Sequence, residues 1–532
     1  MSATTTSHLG TQGEALREQI GFRNQARAWW RAQPQERRAA VAIAVEIALA
    51  IALFFVDHAL SYGVLVLSGV YWTRRLPRLP WGLAAQVAGL ALLVILAIAW
   101  RTQWSLVLLL LIGAAISWIP ERRRSWGVPA VVLLLAILYP FYADKMFTMP
   151  IFGVWPDVGT GVYMLVFIMM AVGLNVVVGY AGLLDLGYVA FYATGAYTAA
   201  WFMSLQFAHV TWHFGAVGIT KNLIGIHVSM WPVLLAAGCI TALFGVIIGL
   251  PTLRLRGDYL AIVTLGFGEI LPQIARNGDS LGGFNLTNGP NGITPIDAPG
   301  FGHTISRITG GFLPANYLEC CSRTVNVGFL HIHHQIQSYD VFFWTAIVLL
   351  LFTVFCSLRL QYSRLGRAWI AIREDETAAA AMGIPLMRTK TWAYASGAFF
   401  GGIAGAYYAV FKSATFPGDF FFNISVFILC MVILGGMGNI WGVIVGAAFL
   451  AYLNQEGLSN TGAWLQTNIH VGGWRPSFDP SLYASGIYGV IILVVMLFRP
   501  EGLMPSRRRA AELHEGVHDE PLYDHEQAGS TA

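Results

Sequence analysis

Apolar segments recur along most of the chain, and short polar connectors separate them. A straight helix needs about 20 apolar residues to cross a bilayer, with a range of about 17–25. Candidate runs lie near residues 39–56, 59–72, 81–100, 104–119, 127–142, 161–180, 185–204, 231–252, 258–275, 341–358, 391–411, 422–436, 439–454 and 482–498. Two of them, 59–72 and 422–436, are short for full crossings. The pattern predicts an all-α, polytopic integral membrane protein with about 10–14 transmembrane helices.

The most polar internal segment covers residues 359–390, between two of these runs. Its apolar residues recur with helical spacing on one stripe, and charged or small residues recur on another. The apolar stripe holds Leu365, Ala368, Trp369 and Ile372, and the other holds Arg367, Glu374, Ala378 and Ala381. The spacing predicts an amphipathic helix that lies beside the membrane and binds a partner.

Composition and missing motifs narrow the class of protein. Charged residues are 11% of the 532 residues, against about 25% in ordinary soluble domains, and the mean hydropathy is +0.60. The five cysteines show no metal-ligand spacing, and no GxxxxGK[ST] phosphate-binding loop occurs. We therefore expect a chain that is not an enzyme, hydrolyses no ATP by itself and binds no metal or cofactor.

Basic residues predict how the chain lies in the membrane. If every run crosses and the N-terminus is cytoplasmic, 24 of the 32 Lys and Arg residues face the cytoplasm. This excess follows the positive-inside rule. We expect a bacterial inner-membrane protein with both termini, and the segment 359–390, in the cytoplasm.

Four regions are expected along the chain. They are a cytoplasmic tail (1–38), an accessory transmembrane region (39–145), a glycine-rich working core (158–505) and a disordered acidic tail (510–532). The core is richer in glycine, polar groups and turn residues than the accessory region, which favours it as the functional part.

The first candidate for a polar path through the core is the glycine-rich stretch 175–197. Glycines there serve either close helix packing or a helix break at membrane depth. Asp185 favours a break if it lies in the membrane, because an unpaired carboxylate is costly there. It is simply solvated if it lies in a turn.

A second candidate is the stretch 251–270. Arg254, Arg256 and Asp258 stand at its entrance, where they orient a helix by charge or contact substrate. Glu269, near its far end, is a candidate ligand for a substrate amine or is solvated.

Two glycine-rich turns complete the set. Residues 286–293 form a turn that either docks an external partner or is only a turn. Residues 432–446 carry a GxxxG face, which favours close helix packing.

Six blocks together resemble the permease subunits of branched-chain amino-acid importers of the ABC class, in the high-affinity type with an N-terminal extension. In chain order they are GLNVVVGYAGLLDLGY, RLRGDYLAIVTLGFGEI, NGPNGI, LGRAWIAIREDE, MVILGGMGN and FRPEGLMP. The resemblance covers about residues 158–505.

The resemblance implies partners: a second homologous permease, two cytoplasmic ATPases that bind ATP and Mg, and a periplasmic amino-acid-binding protein. No nucleic acid is expected. The segment 359–390 resembles the family's ATPase-coupling loop, related to the glutamate–alanine–alanine motif of ABC importers. Glu376 precedes Gly383 by seven positions instead of six, so docking is assigned to the whole helix.

Three residue sets follow. The coupling set is Arg364, Gly366, Arg367, Arg373, Glu374, Asp375, Glu376 and Gly383. The path set is Asn175, Gly182, Asp185, Tyr188, Gly195, Tyr197, Arg254, Arg256, Asp258, Tyr259 and Glu269. The external-turn set is Asn288, Gly289, Pro290, Asn291 and Gly292.

Two alternatives remain open. An importer of urea or short amides is one, because urea permeases share these blocks. An ion-coupled secondary transporter is the other, and it needs intramembrane relays of acids or bases. Only Glu46, Asp185 and Glu269 are candidates for such a relay.

Overall fold

The computed structural model describes eleven parts of the chain. They are residues 46, 121–143, 155–216, 223–255, 258–280, 283–310, 313–318, 324–327, 332–468, 479–499 and 502–504. The predicted tails and most of the accessory region lie outside these residues. Two compact units are present, one formed by 1–135 with 145–155 and one by 136–144 with 156–532. All three predicted residue sets belong to the second unit.

The described residues are mostly helical, as predicted. The helices are α1 (Glu121–Tyr142), α2 (Val158–Asn175), α3 (Val189–Phe202), α4 (Met230–Thr252), α5 (Asp258–Arg276), α6 (Gly302–Ile308), α7 (Ser338–Gln361), α8 (Arg364–Glu374), α9 (Glu376–Ala381), α10 (Leu386–Lys412), α11 (Phe422–Gly435), α12 (Ile440–Tyr452), α13 (Leu458–Asn468) and α14 (Ala484–Phe498). One π-helical turn, Val176–Tyr180, extends α2, and another, Leu453–Gly457, joins α12 to α13.

Two small sheets add to the expected all-helical fold. Strands β1 (Met203–Ser204), β2 (Thr211–Phe214) and β3 (Gly225–Val228) form a sheet in the order β1-β3-β2. β3 pairs antiparallel with β1 and parallel with β2. Strands β4 (Thr324–Val327) and β5 (Ile332–Gln335) form an antiparallel pair. Both sheets lie in the long loops between apolar runs.

Five of the described segments are long and apolar enough to cross a membrane. They are Val158–Tyr180, Met230–Thr252, Ser338–Gln361, Pro417–Gly435 and Pro480–Phe498. The predicted run 422–436 therefore becomes a full span once the 3-10 turn Pro417–Phe420 is added before α11. In contrast, α3 has 14 residues, fewer than a straight crossing needs. The chain is a multi-pass membrane protein.

The helix ends meet at two faces. The coupling face, defined by residues 359–390, also holds the turn between α11 and α12 and the end of α14. The sheet face, defined by the loops 203–228 and 283–318, is closed by the turn after α10. There Ile293 and Thr415 exchange two backbone hydrogen bonds, each 3.0 Å long. The core helices connect these two faces.

Helix α10 lies against α2, α3 and α4, and glycines permit this packing. A Cβ atom at Gly195 of α3 would overlap the backbone of Gly402 in α10. A Cβ atom at Gly405 would overlap the carbonyl of Tyr192. Backbones therefore touch directly, as in small-residue packing of membrane helices. The structure places Gly195 in a helix contact.

Candidate functional site

The coupling segment forms two helices instead of the single one that the spacing predicts. The break lies at Asp375, whose Oδ1 accepts hydrogen bonds from the N–H groups of Thr377 (2.7 Å) and Ala378 (3.0 Å). Asp375 thus caps the N-terminus of α9, and bonds from Thr377 and Ala378 lower the pKa of its carboxyl. Gly383, with φ +82°, ends α9 in the left-handed region.

The predicted apolar stripe of α8 is confirmed. Trp369 is fully buried and Ile372 is buried, and the indole Nε1 donates to the carbonyl of Thr389 at 2.9 Å. This bond holds α8 to the start of α10. At Gly366 a Cβ atom would overlap the carbonyl of Leu360, so glycine lets α8 begin against the end of α7.

The opposite side of α8 and α9 is exposed and polar. Arg364, Arg367, Glu374 and Asp375 lie on it, and Gly383 stands exposed at its end. Five of the eight residues in the predicted coupling set therefore form one surface, which we call the coupling surface. Gly366 faces inward instead, and two more members of the set make internal contacts.

Those two are Arg373 and Glu376. Arg373 Nη1 donates to the carbonyl of Gly179, 2.7 Å away, in the π-helical turn of α2. Glu376 Oε1 lies 2.7 Å from Nζ of Lys390, whose side chain is only 6% exposed. Both side chains connect the coupling helices to the membrane core.

The end of α2 is the centre of the predicted path. Asn175 is fully buried, and its Oδ1 accepts a hydrogen bond from the N–H of Gly438 at 2.9 Å. After the π turn the chain leaves helical geometry at residues 181–188, where Gly182 has φ +69°. The glycine-rich stretch is thus a discontinuous helix, one of the two alternatives that the sequence leaves open.

Asp185 lies inside this break and is fully buried. Its Oδ1 accepts from the N–H of Gly187 at 2.9 Å. Its Oδ2 is buried without a well-formed hydrogen bond, beside the phenol of Tyr394. Because Asp185 is fully buried, it does not lie in a solvated turn, which is the other alternative that the sequence leaves open.

Neighbouring elements hold the break in place. The backbone N–H of Leu186 donates to Thr264 Oγ1 of α5 (3.1 Å), and that of Val189 donates to Ser425 Oγ of α11 (2.8 Å). At Gly187 a Cβ atom would overlap the carbonyl of Thr264. The break therefore joins α2, α5 and α11 at the start of α3.

Two predicted path tyrosines are buried in helix contacts. The hydroxyl of Tyr188 donates to the carbonyl of Gly397 in α10 at 3.1 Å. The ring of Tyr197 packs on Phe420, 5.7 Å between centroids, and its hydroxyl is buried without a hydrogen-bond partner.

Two of the five remaining path residues, Tyr259 and Glu269, lie on the exposed side of α5. Tyr259 is 72% exposed and Ile262 is 64% exposed, Glu269 and Gln273 are exposed, and Gly266 has open space where a Cβ would stand. We call this side the α5 stripe. Arg254 is exposed just before it, Asp258 begins the helix, and Arg256 lies outside the described residues.

The α5 stripe differs from the exposed side of α4. The exposed residues Leu235, Leu243, Ile247 and Leu250 of α4 are all apolar, as a lipid-facing side requires. The α5 stripe instead mixes apolar side chains with Glu269 and Gln273, and charged side chains rarely face lipid. The stripe therefore has the mixed character of a surface that contacts protein or water.

The predicted external turn lies at the sheet face. Asn288 (φ 58°), Gly289 (φ 56°) and Gly292 (φ 66°) all adopt left-handed geometry. The Asn288 side chain donates to the carbonyl of Gly292 at 2.8 Å, while Pro290 and Asn291 are exposed at the tip. The turn is built from its own contacts, and its tip is open to a partner.

The sequence does not predict one histidine–aspartate contact at the sheet face. His227 Nδ1 of β3 lies 2.7 Å from Asp297 Oδ2, and the two residues are 70 positions apart. Burial raises the pKa of Asp297, while the bond to His227 opposes that rise. Nothing in the local sequence marks the pair, since neither residue belongs to a motif.

The described residues hold no cluster of three His, Cys, Asp or Glu side chains fit for a metal ion. Two short motif matches exist in the chain. HEGVH at residues 514–518 lies outside the described residues. GDSLG at 278–282 follows the end of α5, whereas a nucleophile elbow needs a strand before its turn.

Comparison with known proteins decides the family. Residues 159–496 match the family described as branched-chain amino acid transport system / permease component. The chain belongs to this family. The permease is 33% identical, over 454 residues, to the high-affinity branched-chain amino acid transport system permease protein LivM of Salmonella typhimurium, covering 82% of this chain and 93% of that protein.

Two further relatives agree. The permease is 33% identical over 390 residues to the protein of the same description from Escherichia coli, covering 73% of this chain and 76% of that protein. It is 25% identical over 353 residues to a probable branched-chain amino acid transport permease protein LivM of Methanocaldococcus jannaschii, covering 64% and 90%. No solved structure matches it. The resemblance inferred from the six blocks is confirmed, and the permease is a transport subunit.

Proposed function

We propose that this chain is the transmembrane permease subunit of an ATP-driven importer for leucine, isoleucine and valine. It forms the translocation path with a second homologous permease. Two cytoplasmic ABC ATPases drive it with ATP and Mg, and a periplasmic binding protein delivers the amino acid. Its relatives carry descriptions that name branched-chain amino acid transport, which supports this substrate class.

The observation that carries the proposal is the coupling surface. Helices α8 and α9 expose charged residues, while Trp369 and Lys390 fix them to α10. A soluble partner can bind such a polar surface, and because the surface is fixed to the membrane helices, a movement of the partner also moves those helices. Because the chain has no P-loop, the energy of ATP has to come from that partner.

Orientation follows from charge. Arg254, Arg359, Arg364, Arg388 and Arg499 all lie on the coupling face. The positive-inside rule assigns such a face to the cytoplasm, and in this proposal both termini are cytoplasmic, as the distribution of basic residues along the sequence predicts. The sheet face then looks to the periplasm, where the tip of the external turn is open to the binding protein.

The α5 stripe is the wall of the path in this proposal. It carries Glu269, Gln273 and the unobstructed Gly266 on a helix that connects the two faces. The second permease covers this stripe. The carboxylate of Glu269 attracts the ammonium group that every amino-acid substrate carries. This stripe replaces the buried break, where Asp185 and Tyr188 are enclosed, as the surface that substrate touches.

Reconstituted transport tests the proposal. The permease, its partner permease, both ATPases and the binding protein are placed in proteoliposomes, and ATP-dependent uptake of leucine, urea and short amides is measured. Leucine uptake that needs ATP is expected. Arg367→Ala and Glu374→Ala, on the coupling surface, lower uptake while the chain still inserts into the membrane.

Three results would contradict it. Uptake of urea with none of leucine favours the urea-importer alternative. Uptake driven by an ion gradient without ATP favours a secondary transporter. Normal uptake and normal ATPase co-purification in both alanine variants would remove the coupling surface from the mechanism.

A further inference from the structure

Arg373 occupies the last turn of α8 and points into the protein. Its Nη1 donates to the carbonyl of Gly179 at 2.7 Å, across 194 positions of sequence. In a regular helix the N–H of Leu183 would bond that carbonyl. Here Leu183 bonds Val177 instead, at 3.1 Å, because the chain leaves the helix. The carbonyls at a helix end need outside donors, and Arg373 supplies one.

Two glycines with positive φ enclose the arginine side chain. A Cβ atom at Gly182 (φ +69°) would lie 2.8 Å from Arg373 Cγ, and one at Gly438 (φ +85°) would lie 3.4 Å from Nη1. Gly438 also donates to Asn175. The end of α2, the break and the turn between α11 and α12 therefore converge on one guanidinium.

The segment that Arg373 holds is irregular. A π-helical turn is rare and frequently lies at a functional site. The non-helical residues 181–188 follow it directly and lead into α3. In contrast, the second anchor of α8, the Trp369 bond, goes to the regular helix α10.

We propose that Arg373 transmits the movement of α8 and α9 to the π-helical end of α2 and to the break before α3. It is a positioning residue for transport, distinct from the residues of the coupling surface. The proposal rests on the proposed function, since it needs an ATPase that moves α8. Rotation or retreat of α8 pulls the Gly179 carbonyl, and the break gives way before the regular helices do.

The test uses the complete importer with Arg373→Met, Arg373→Lys and a control, Arg499→Gln. Arg499 is an exposed arginine on the same face, outside the segment 359–390. Four quantities are measured: ATPase co-purification, basal ATP hydrolysis, its stimulation by loaded binding protein, and leucine taken up per ATP. For Arg373→Met we expect normal co-purification and basal hydrolysis, and a fall of about tenfold in uptake per ATP.

The conservative variant and the control sharpen the result. Arg373→Lys keeps a charged donor that reaches one acceptor but loses the planar fork, so uptake per ATP falls to an intermediate value. Arg499→Gln stays within about twofold of the unsubstituted importer. Uptake per ATP that is unchanged in Arg373→Met overturns the proposal, and so does loss of ATPase co-purification, which would make Arg373 a docking residue.

A second measurement needs no folded methionine variant. Hydrogen exchange of residues 176–184 is followed in the unsubstituted importer and in Arg373→Lys, with and without trapped ATP. We expect trapped ATP to change the protection of these residues in the unsubstituted importer, and to change it less in Arg373→Lys. No change in the unsubstituted importer overturns the proposal. An unsubstituted importer that takes up no amino acid contradicts the proposed function instead.

Discussion

Lys390 and Glu376 form an ion pair in which the ammonium is almost completely buried: Nζ lies 2.7 Å from Oε1, and the side chains are 6% and 28% exposed. Lys390 belongs to the first turns of α10, and Glu376 begins α9. The pair therefore fixes the second coupling helix to the membrane core. The glutamate that sequence comparison with the coupling motif singles out stabilises the fold.

The first prediction concerns this pair. Glu376→Gln leaves the Lys390 ammonium buried without its carboxylate, so we expect a loss of about 1–3 kcal/mol, less than for a fully buried pair because Glu376 is partly exposed. Lys390→Met removes the buried charge and costs less. The double variant is more stable than Glu376→Gln alone. Thermal unfolding in detergent measures all three.

The opposite order would contradict the ion-pair role. If Lys390→Met is the most damaging change and Glu376→Gln has no effect on unfolding, the lysine has another partner that matters more. Uptake by each variant is compared at equal amounts of folded protein, so that a loss of stability is not counted as a loss of coupling.

The second prediction concerns Gly195 on α3. Gly195→Ala pushes a methyl group against the backbone of Gly402, which cannot move as a flexible side chain would. We expect destabilisation by about 1–3 kcal/mol and a smaller yield of folded permease on size-exclusion chromatography. The matched control is Gly418→Ala, where the nearest atom lies 3.9 Å from the new Cβ. A stable Gly195→Ala protein with altered transport would return Gly195 to the path.

The third prediction concerns the α5 stripe. Ile270→Cys, at a site that is 52% exposed, reacts with a membrane-impermeant, water-soluble maleimide in the complete importer, and leucine slows the reaction. Leu243→Cys on α4, 62% exposed, is the control and stays unreactive because it faces lipid. Native cysteines are replaced first, since Cys239 is exposed.

A charge change on the same stripe completes that test. Glu269→Gln raises the KM for leucine uptake about tenfold or more, because a charged hydrogen bond contributes about 1.5–3 kcal/mol. Equal labelling at Ile270→Cys and Leu243→Cys, or an unchanged KM in Glu269→Gln, would remove the stripe from the path.

Periodicity predicted the parts of the site that depend on local patterning. Trp369 and Ile372 are buried on one side of α8 because a 3.6-residue repeat places them together. The break at Asp375 was missed, although an aspartate followed by Thr377 and Ala378 is a normal start for a new helix. An interrupted helix keeps nearly the same apolar spacing, so the pattern alone did not reveal it.

Long-range contacts explain what the sequence did not reveal. Arg373 looks like an exposed charge on an amphipathic helix, and only the fold brings Gly179 within 2.7 Å of it. Long-range packing also explains why some residues of the path set are buried at the break before α3 and others are exposed on α5. Asp185 and Glu269 are both carboxylates in apolar stretches, but Asp185 is enclosed beside Gly187 and Tyr394, whereas Glu269 is exposed on α5. Burial of that kind depends on how helices pack, which hydropathy does not encode.

The shortness of α3 has a consequence for biogenesis. Its 14 residues are too few for independent partition into a bilayer, and the preceding break carries a buried aspartate. The translocon therefore cannot release α3 as a separate stop-transfer unit. α3 packs mainly on α4 and α10, and α10, which is made about two hundred residues later, also packs on α2, so the placement of α3 is completed only after α10 is made. Truncation before α10 should leave a nascent chain that membrane quality-control proteases recognise.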